Sequence, residues 1–213
     1  FSLNHTDSFI ASGYAAFALA VSHTFWWHAS TPEVYTLFIF LLLLSLYFFE
    51  QFEKTRATSS FMLSAFFFGV SASDHLLAFL AFPALGLYLI LSKKYRSLNL
   101  NLQKIIFASL AFILGFSIYI IQFIRLTKNF SIGKLMGPAA GATFLENLGT
   151  LSLAALGESL TRYGLFFALQ FGAVGIVFGI LGFRKAFNGA AQKLALFFSI
   201  YALFGLLYRV SDQ

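Results

Sequence analysis

Thirteen residues, HTFWWHASTPEVY at 23–35, bring two histidines, two tryptophans, a glutamate and a tyrosine between two long apolar runs. Some forty residues on, Asp74-His75 interrupts an apolar stretch from about 61 to 91, and YRVSDQ at the end carries Tyr208, Arg209 and Asp212. The chemistry these types offer is acid–base work and anion binding. Glu33 and Asp74 are carboxylates able to take a proton. His28 and His75 titrate near neutrality and can shuttle protons or bind phosphate oxygens. Each has a plainer explanation. Trp26 and Trp27 suit an interfacial aromatic belt. Pro32 suits the first position of a helix capped by Thr31, where Glu33 favours the helix dipole. Asp74 is a good cap for the segment after it, and Tyr208, Arg209 and Asp212 pass as boundary residues.

The elements holding these residues are apolar. Of the 213 residues, 59% are hydrophobic, 30 are phenylalanine and only 10% are charged. A soluble domain of this length needs a larger charged surface. Lipid as the solvent requires helices, because the bilayer core leaves no backbone group unpaired. Seven spans are expected, at 9–27, 34–49, 59–73, 76–91, 105–124, 163–182 and 191–208. The expected fold is an all-α polytopic bundle, a single transmembrane domain over 1–213. The chain opens on Phe1 and stops just after an apolar run, so it is expected to be an internal piece of a longer membrane protein.

The charge of +6 does not imply nucleic acid, because the basic residues lie in connectors. Lys54, Arg56, Lys93, Lys94, Arg96, Lys104, Arg184, Lys185 and Lys193 share one side if all seven spans cross. The positive-inside rule makes that side cytoplasmic and puts the chain's start there. The outer side then collects His28, Glu33, Asp74, His75, Glu146, Glu158 and Asp212, with Arg125, Arg162 and Arg209 among its cations. No Asp, Glu, Lys or Arg falls near the middle of any expected span. The third span, at roughly 22 Å, is shorter than a hydrocarbon core of about 30 Å. The Asp74-His75 tip is therefore expected to be recessed in a cavity, since bare burial in lipid is costly. In the long outer connector, 125–162, TFLENLGTLSLAAL has the spacing of a short surface helix. Gly133-Lys134 is not a phosphate loop: its glycine spacing is wrong and no strand precedes it. Asp7-Ser8 stands on the cytoplasmic side, a membrane thickness from Glu33. With no cysteine there is neither a disulfide nor a thiolate metal site.

HTFWWHASTPEVYTL, GVSASDHLLAFLAFPAL and LLYRVSD together resemble a family of multipass proteins in the GT-C glycosyltransferase superfamily, which includes a eukaryotic protein O-mannosyltransferase. The resemblance is tight over 23–37 and 69–85, weaker over 204–212 and poor over 126–162. It implies inverting transfer of a sugar from a polyprenyl-phosphate-linked donor to a protein, lipid or glycan hydroxyl on the extracytoplasmic face. It also implies that the usual general base, an acidic residue in the first outer loop, precedes Phe1, so that the chain alone is expected to be inactive. Glu33, Asp74 and His75 are then the catalytic candidates. His28, Tyr35, Trp27, Arg125, Arg162 and Arg209 are the substrate-binding candidates. A cation or a divalent metal ion would steady the phosphate leaving group. Two departures stand out: Asp74 replaces the family's usual asparagine, and SIGKLMGPAAGATF replaces an expected tryptophan-rich loop.

Two other functions compete. A transporter or flippase carries ionisable groups or broken helices near the midplane, and polar groups gathered at one face count against it. A non-catalytic membrane scaffold is the third reading.

Overall fold

The computed structural model describes residues 9–22, 26, 30, 35–92, 98, 100–132, 134–135, 153–187 and 191–207. Among these residues there are helices and no strand. In order they are α1 (Phe9–Ala20), α2 (Tyr35–Thr55), α3 (Thr58–Asp74), a 3-10 segment (Leu76–Leu80), α4 (Ala81–Leu91), α5 (Leu102–Leu126), α6 (Leu153–Phe187) and α7 (Gln192–Leu207). The chain divides into two compact units, 1–122 and 123–213.

The first unit is built on the antiparallel α2–α3 hairpin, its most extensive packing. Along α2, Phe38, Leu41, Leu42, Ser45, Leu46, Phe49 and Phe52 are buried. Their spacing of three and four residues makes one helical stripe. α3 meets it with small side chains, Ser64, Ser71 and Ala72, so the helices approach closely. In lipid, close packing and interhelical hydrogen bonds replace the hydrophobic effect as the driving force. Ser45 Oγ donates to Ser64 O at 2.8 Å, and Ser71 Oγ donates to Phe38 O at 3.2 Å. The turn is short because Arg56 takes the left-handed conformation (φ 59°) and returns its N–H to Phe52 O at 2.9 Å. At this end Lys54 pairs with Glu50 at 3.1 Å, the Tyr88 hydroxyl donates to Glu53 Oε1 at 2.7 Å, and Lys104 Nζ stands 5.7 Å over the Phe52 ring.

α4 is preceded by a tighter 3-10 stretch for a local reason. Pro83 has no N–H to give the residue four before it, and its ring crowds that carbonyl. An α-helix running unbroken from Leu76 is therefore disfavoured, and the α-geometry begins at Ala81. α5 starts at an Asn101 cap, whose Oδ1 accepts from Lys104 N at 2.9 Å. It crosses α3 narrowly, where Gly69 and Gly115 face each other. A Cβ on Gly69 would lie 2.3 Å from Phe112 O, and one on Gly115 would lie 2.3 Å from Phe66 O. Phe112, Phe116 and Tyr119 stack in succession along α5, and Phe79 of the 3-10 segment lies against Phe112 and Phe116.

In the second unit α6 and α7 pack together. The Tyr163 hydroxyl donates to Gly205 O at 3.1 Å, and Phe183 meets Phe198 edge-on at 5.8 Å. α6 is broken at Gly172 (φ 63°, ψ 176°), with its two arms bent by 105°. That backbone region is open essentially to glycine alone.

The all-α expectation matches this architecture, whereas the seven expected crossings are not clearly seen. Among the described residues two helices, Tyr35–Thr55 and Leu102–Leu126, are long and apolar enough to cross a membrane, and a third crossing requires both arms of α6. Helices of 12 to 17 residues, such as α1, α3 and α7, rise roughly 18–26 Å, short of the core. The expected 163–182 span is also corrected: the helix begins at Leu153 and is not straight. The expected surface helix at 143–156 lies outside the described residues except where its end joins α6.

Candidate functional site

The hairpin register brings the chemistry-bearing residues together. The two serine bonds between α2 and α3 set one antiparallel alignment, and carrying it one turn further places Tyr35 opposite Asp74. Tyr35 opens α2 and Asp74 closes α3. The His75 ring lies against both the Tyr35 ring (centroids 5.3 Å apart) and the Phe38 ring (5.5 Å). Residues forty positions apart thus share one small cluster.

The backbone of His75 and one of its ring nitrogens are engaged. Its backbone is extended (φ −148°, ψ 125°), its N–H donates to Ser71 O at 2.9 Å, and its carbonyl accepts from Ala78 N at 3.0 Å. Its Nδ1 accepts from Leu77 N at 3.1 Å, so the imidazole caps the 3-10 segment. The capping role expected of Asp74 therefore falls to its neighbour. Asp74 is half-buried, and its Oδ2 is enclosed with no hydrogen-bond partner among the described residues. Its carboxylate keeps lone pairs for something else.

One contact fixes the level of the tip along α5. Ser73 Oγ donates to Gly115 O at 3.1 Å, and Gly115 lies near the middle of α5, about 16 Å from its C-terminal end. Asp74 and His75 therefore stand beside the middle of a helix that is long and apolar enough to cross a membrane.

Of the other candidates, Glu33, His28, Trp27 and Arg209 lie outside the described residues. Arg125 is exposed in the last turn of α5. Arg162 was expected in a connector; it stands on α6 and pairs with Glu158 at 3.1 Å, both side chains exposed. This local pair shares the charge that an anion would use. Arg125 and Arg162 belong to the second unit. Among the described residues no three His, Asp or Glu side chains converge, so they provide no donor set for a divalent metal ion.

Sequence reading passed over Phe38, which walls the imidazole, and the Gly69–Gly115 crossing, which sets the tip's level along α5. A signal was present for the second: Gly69 and Ser73 form a small-xxx-small pair, the pattern of close helix approach in membranes. Both meet Gly115.

Comparison with known proteins gives one match. Residues 3–99 match the family model described as the N-terminal domain of protein O-mannosyl-transferase TMEM260. The match makes this stretch similar to an O-mannosyltransferase family, and Tyr35, Asp74 and His75 all fall within it. No curated protein and no solved structure matches the chain.

Proposed function

From the match over 3–99, we propose that the chain is part of a GT-C-type membrane glycosyltransferase. It moves a sugar, mannose in the first instance, from a polyprenyl phosphate to an acceptor hydroxyl on the extracytoplasmic face, with inversion. The observation that carries this reading is the meeting of Tyr35, Asp74 and His75 at the α2–α3 tip inside the matched region. The acceptor oxygen bonds to the anomeric carbon as the bond to the phosphate oxygen breaks. The leaving phosphate keeps that electron pair, and the hydroxyl proton passes to a carboxylate. Asp74 has an oxygen free for that proton among the described residues, and Glu33 is the second carboxylate candidate. The Tyr35 ring and hydroxyl offer a sugar both a stacking face and a hydrogen bond. The acceptor is a protein hydroxyl, with lipid or glycan hydroxyls as alternatives. Arg125, Arg162 and Arg209 are candidates for steadying the phosphate.

The test is transfer by the full-length protein in nanodiscs, with polyprenyl-phosphate mannose as donor and a serine- and threonine-containing peptide as acceptor. Asp74→Asn and Glu33→Gln keep size and remove charge. Loss of a placed charged group costs on the order of a hundredfold in rate. Native turnover in both variants would remove the carboxylates from the chemistry.

A transporter is the second reading, favoured by the place of Asp74 beside the middle of α5 and by the broken α6. Uptake of a sugar or lipid-linked sugar by proteoliposomes, with no glycosylated product, would select it.

A further inference from the structure

This inference rests on the transfer reading. We propose that the Leu77 amide locks His75 in its Nε2–H tautomer, so that His75 donates a hydrogen bond from Nε2 to an oxygen of the lipid-linked sugar and carries no proton during transfer.

A cap at this position is ordinarily a side-chain oxygen. Here the acceptor is a ring nitrogen, His75 Nδ1, 3.1 Å from Leu77 N. A backbone amide can only donate, so Nδ1 must present its lone pair. A neutral imidazole with a lone pair at Nδ1 carries its proton at Nε2. An imidazolium, or the Nδ1–H tautomer, would set two N–H groups against each other. Turning the ring over would put a carbon where Nδ1 stands and lose the cap. Tyr35 and Phe38 hinder that rotation, with their rings tilted 33° and 45° to the imidazole. The backbone cannot relieve the constraint easily either, since the His75 N–H and carbonyl are both bonded, to Ser71 O and Ala78 N.

A proton carrier must alternate between accepting and donating at its reactive nitrogen. Nε2 can accept only if Nδ1 takes a proton, and the Leu77 amide occupies that side. What remains is a donor of fixed direction, suited to a phosphate or sugar oxygen. The neighbouring Asp74 has the complementary capacity, an acceptor oxygen without a partner among the described residues. The tip therefore separates its tasks: the carboxylate takes the proton and the imidazole orients an oxygen.

Two substitutions split the two nitrogens. His75→Asn keeps an acceptor near the Nδ1 position and removes the Nε2 donor. His75→Gln places an amide N–H near the Nε2 position and gives up the cap. His75→Asn is expected to melt like the native protein and to lose on the order of a hundredfold in kcat. His75→Gln is expected to melt lower yet, where folded, to keep transfer within about tenfold of native. Nitrogen-15 spectra of histidine-labelled protein in nanodiscs read the tautomer directly, with His75→Asn assigning the His75 signal. The Nε2–H pattern at neutral pH is expected. An Nδ1–H or imidazolium pattern overturns the lock, and native turnover in His75→Asn overturns the Nε2 contact with the sugar donor. Failure of the native full-length protein to transfer sugar would instead sink the transfer reading and the substrate contact with it, while the spectrum still decides the tautomer.

Discussion

Gly69→Ala and Gly115→Ala should each destabilise the first unit and disturb its tip. The added Cβ at 69 would stand 2.3 Å from Phe112 O and 2.9 Å from Phe116 N, and the one at 115 would stand 2.3 Å from Phe66 O. An ordinary carbon–oxygen contact needs about 1 Å more, and the obstructing atoms are helix backbone, which cannot rotate aside. α3 and α5 must therefore part by about 1 Å. Overpacking of this kind costs about 1–3 kcal/mol. Loss of the Ser73–Gly115 hydrogen bond adds about 0.6 kcal/mol, a typical interhelical value in membranes. Each variant should thus lose about 2–4 kcal/mol. The double variant should lose less than the sum, because one separation accommodates both methyls. Gly86→Ala is the control: a Cβ there meets nothing within 4 Å, and replacing a helical glycine should gain about 0.5–1 kcal/mol. Denaturant unfolding in detergent, followed by circular dichroism, measures all four. Because displacing reacting groups by about 1 Å can cost about a hundredfold in rate, transfer should fall in the two single variants even where they remain folded. Unfolding midpoints for Gly69→Ala and Gly115→Ala at or above that of Gly86→Ala would refute the glycine crossing, and with it the level along α5 assigned to Asp74.

Tyr88→Phe removes the hydroxyl that meets Glu53 Oε1 at 2.7 Å; it should cost about 2 kcal/mol, as for a hydrogen bond to a charged group, read in the same unfolding assay. Gly172→Ala forces an alanine into φ 63°, ψ 176° with open space around its Cβ. Its cost of about 1–3 kcal/mol would be backbone strain alone, and an unchanged midpoint would argue against the break in α6. Single cysteines report topology cleanly, since the chain has none of its own. An impermeant thiol reagent should label intact cells at Gly141→Cys and not at Ser97→Cys, and the reverse pattern would overturn the orientation drawn from the basic residues.

Composition and periodicity alone were enough for the helical class and for the position of nearly every helix. An apolar run that must satisfy its own backbone has one local solution, and Pro83, Asn101 and the Arg56 turn act within a few residues of themselves. The short third segment led to the expectation of a recessed tip, because helix rise per residue is constant. The family likeness was legible too, in two stretches forty residues apart. Three things depended on contacts between distant segments. Hydropathy averages over residues and cannot register the break that a single glycine puts into α6. The level of Asp74 along α5 is set by a contact between Ser73 and Gly115, forty-two positions apart, made possible by two missing side chains. The state of His75 depends on which ring nitrogen faces the Leu77 amide, a matter of one backbone angle and two flanking rings. A sequence names the imidazole; only the fold determines which of its nitrogens is already engaged.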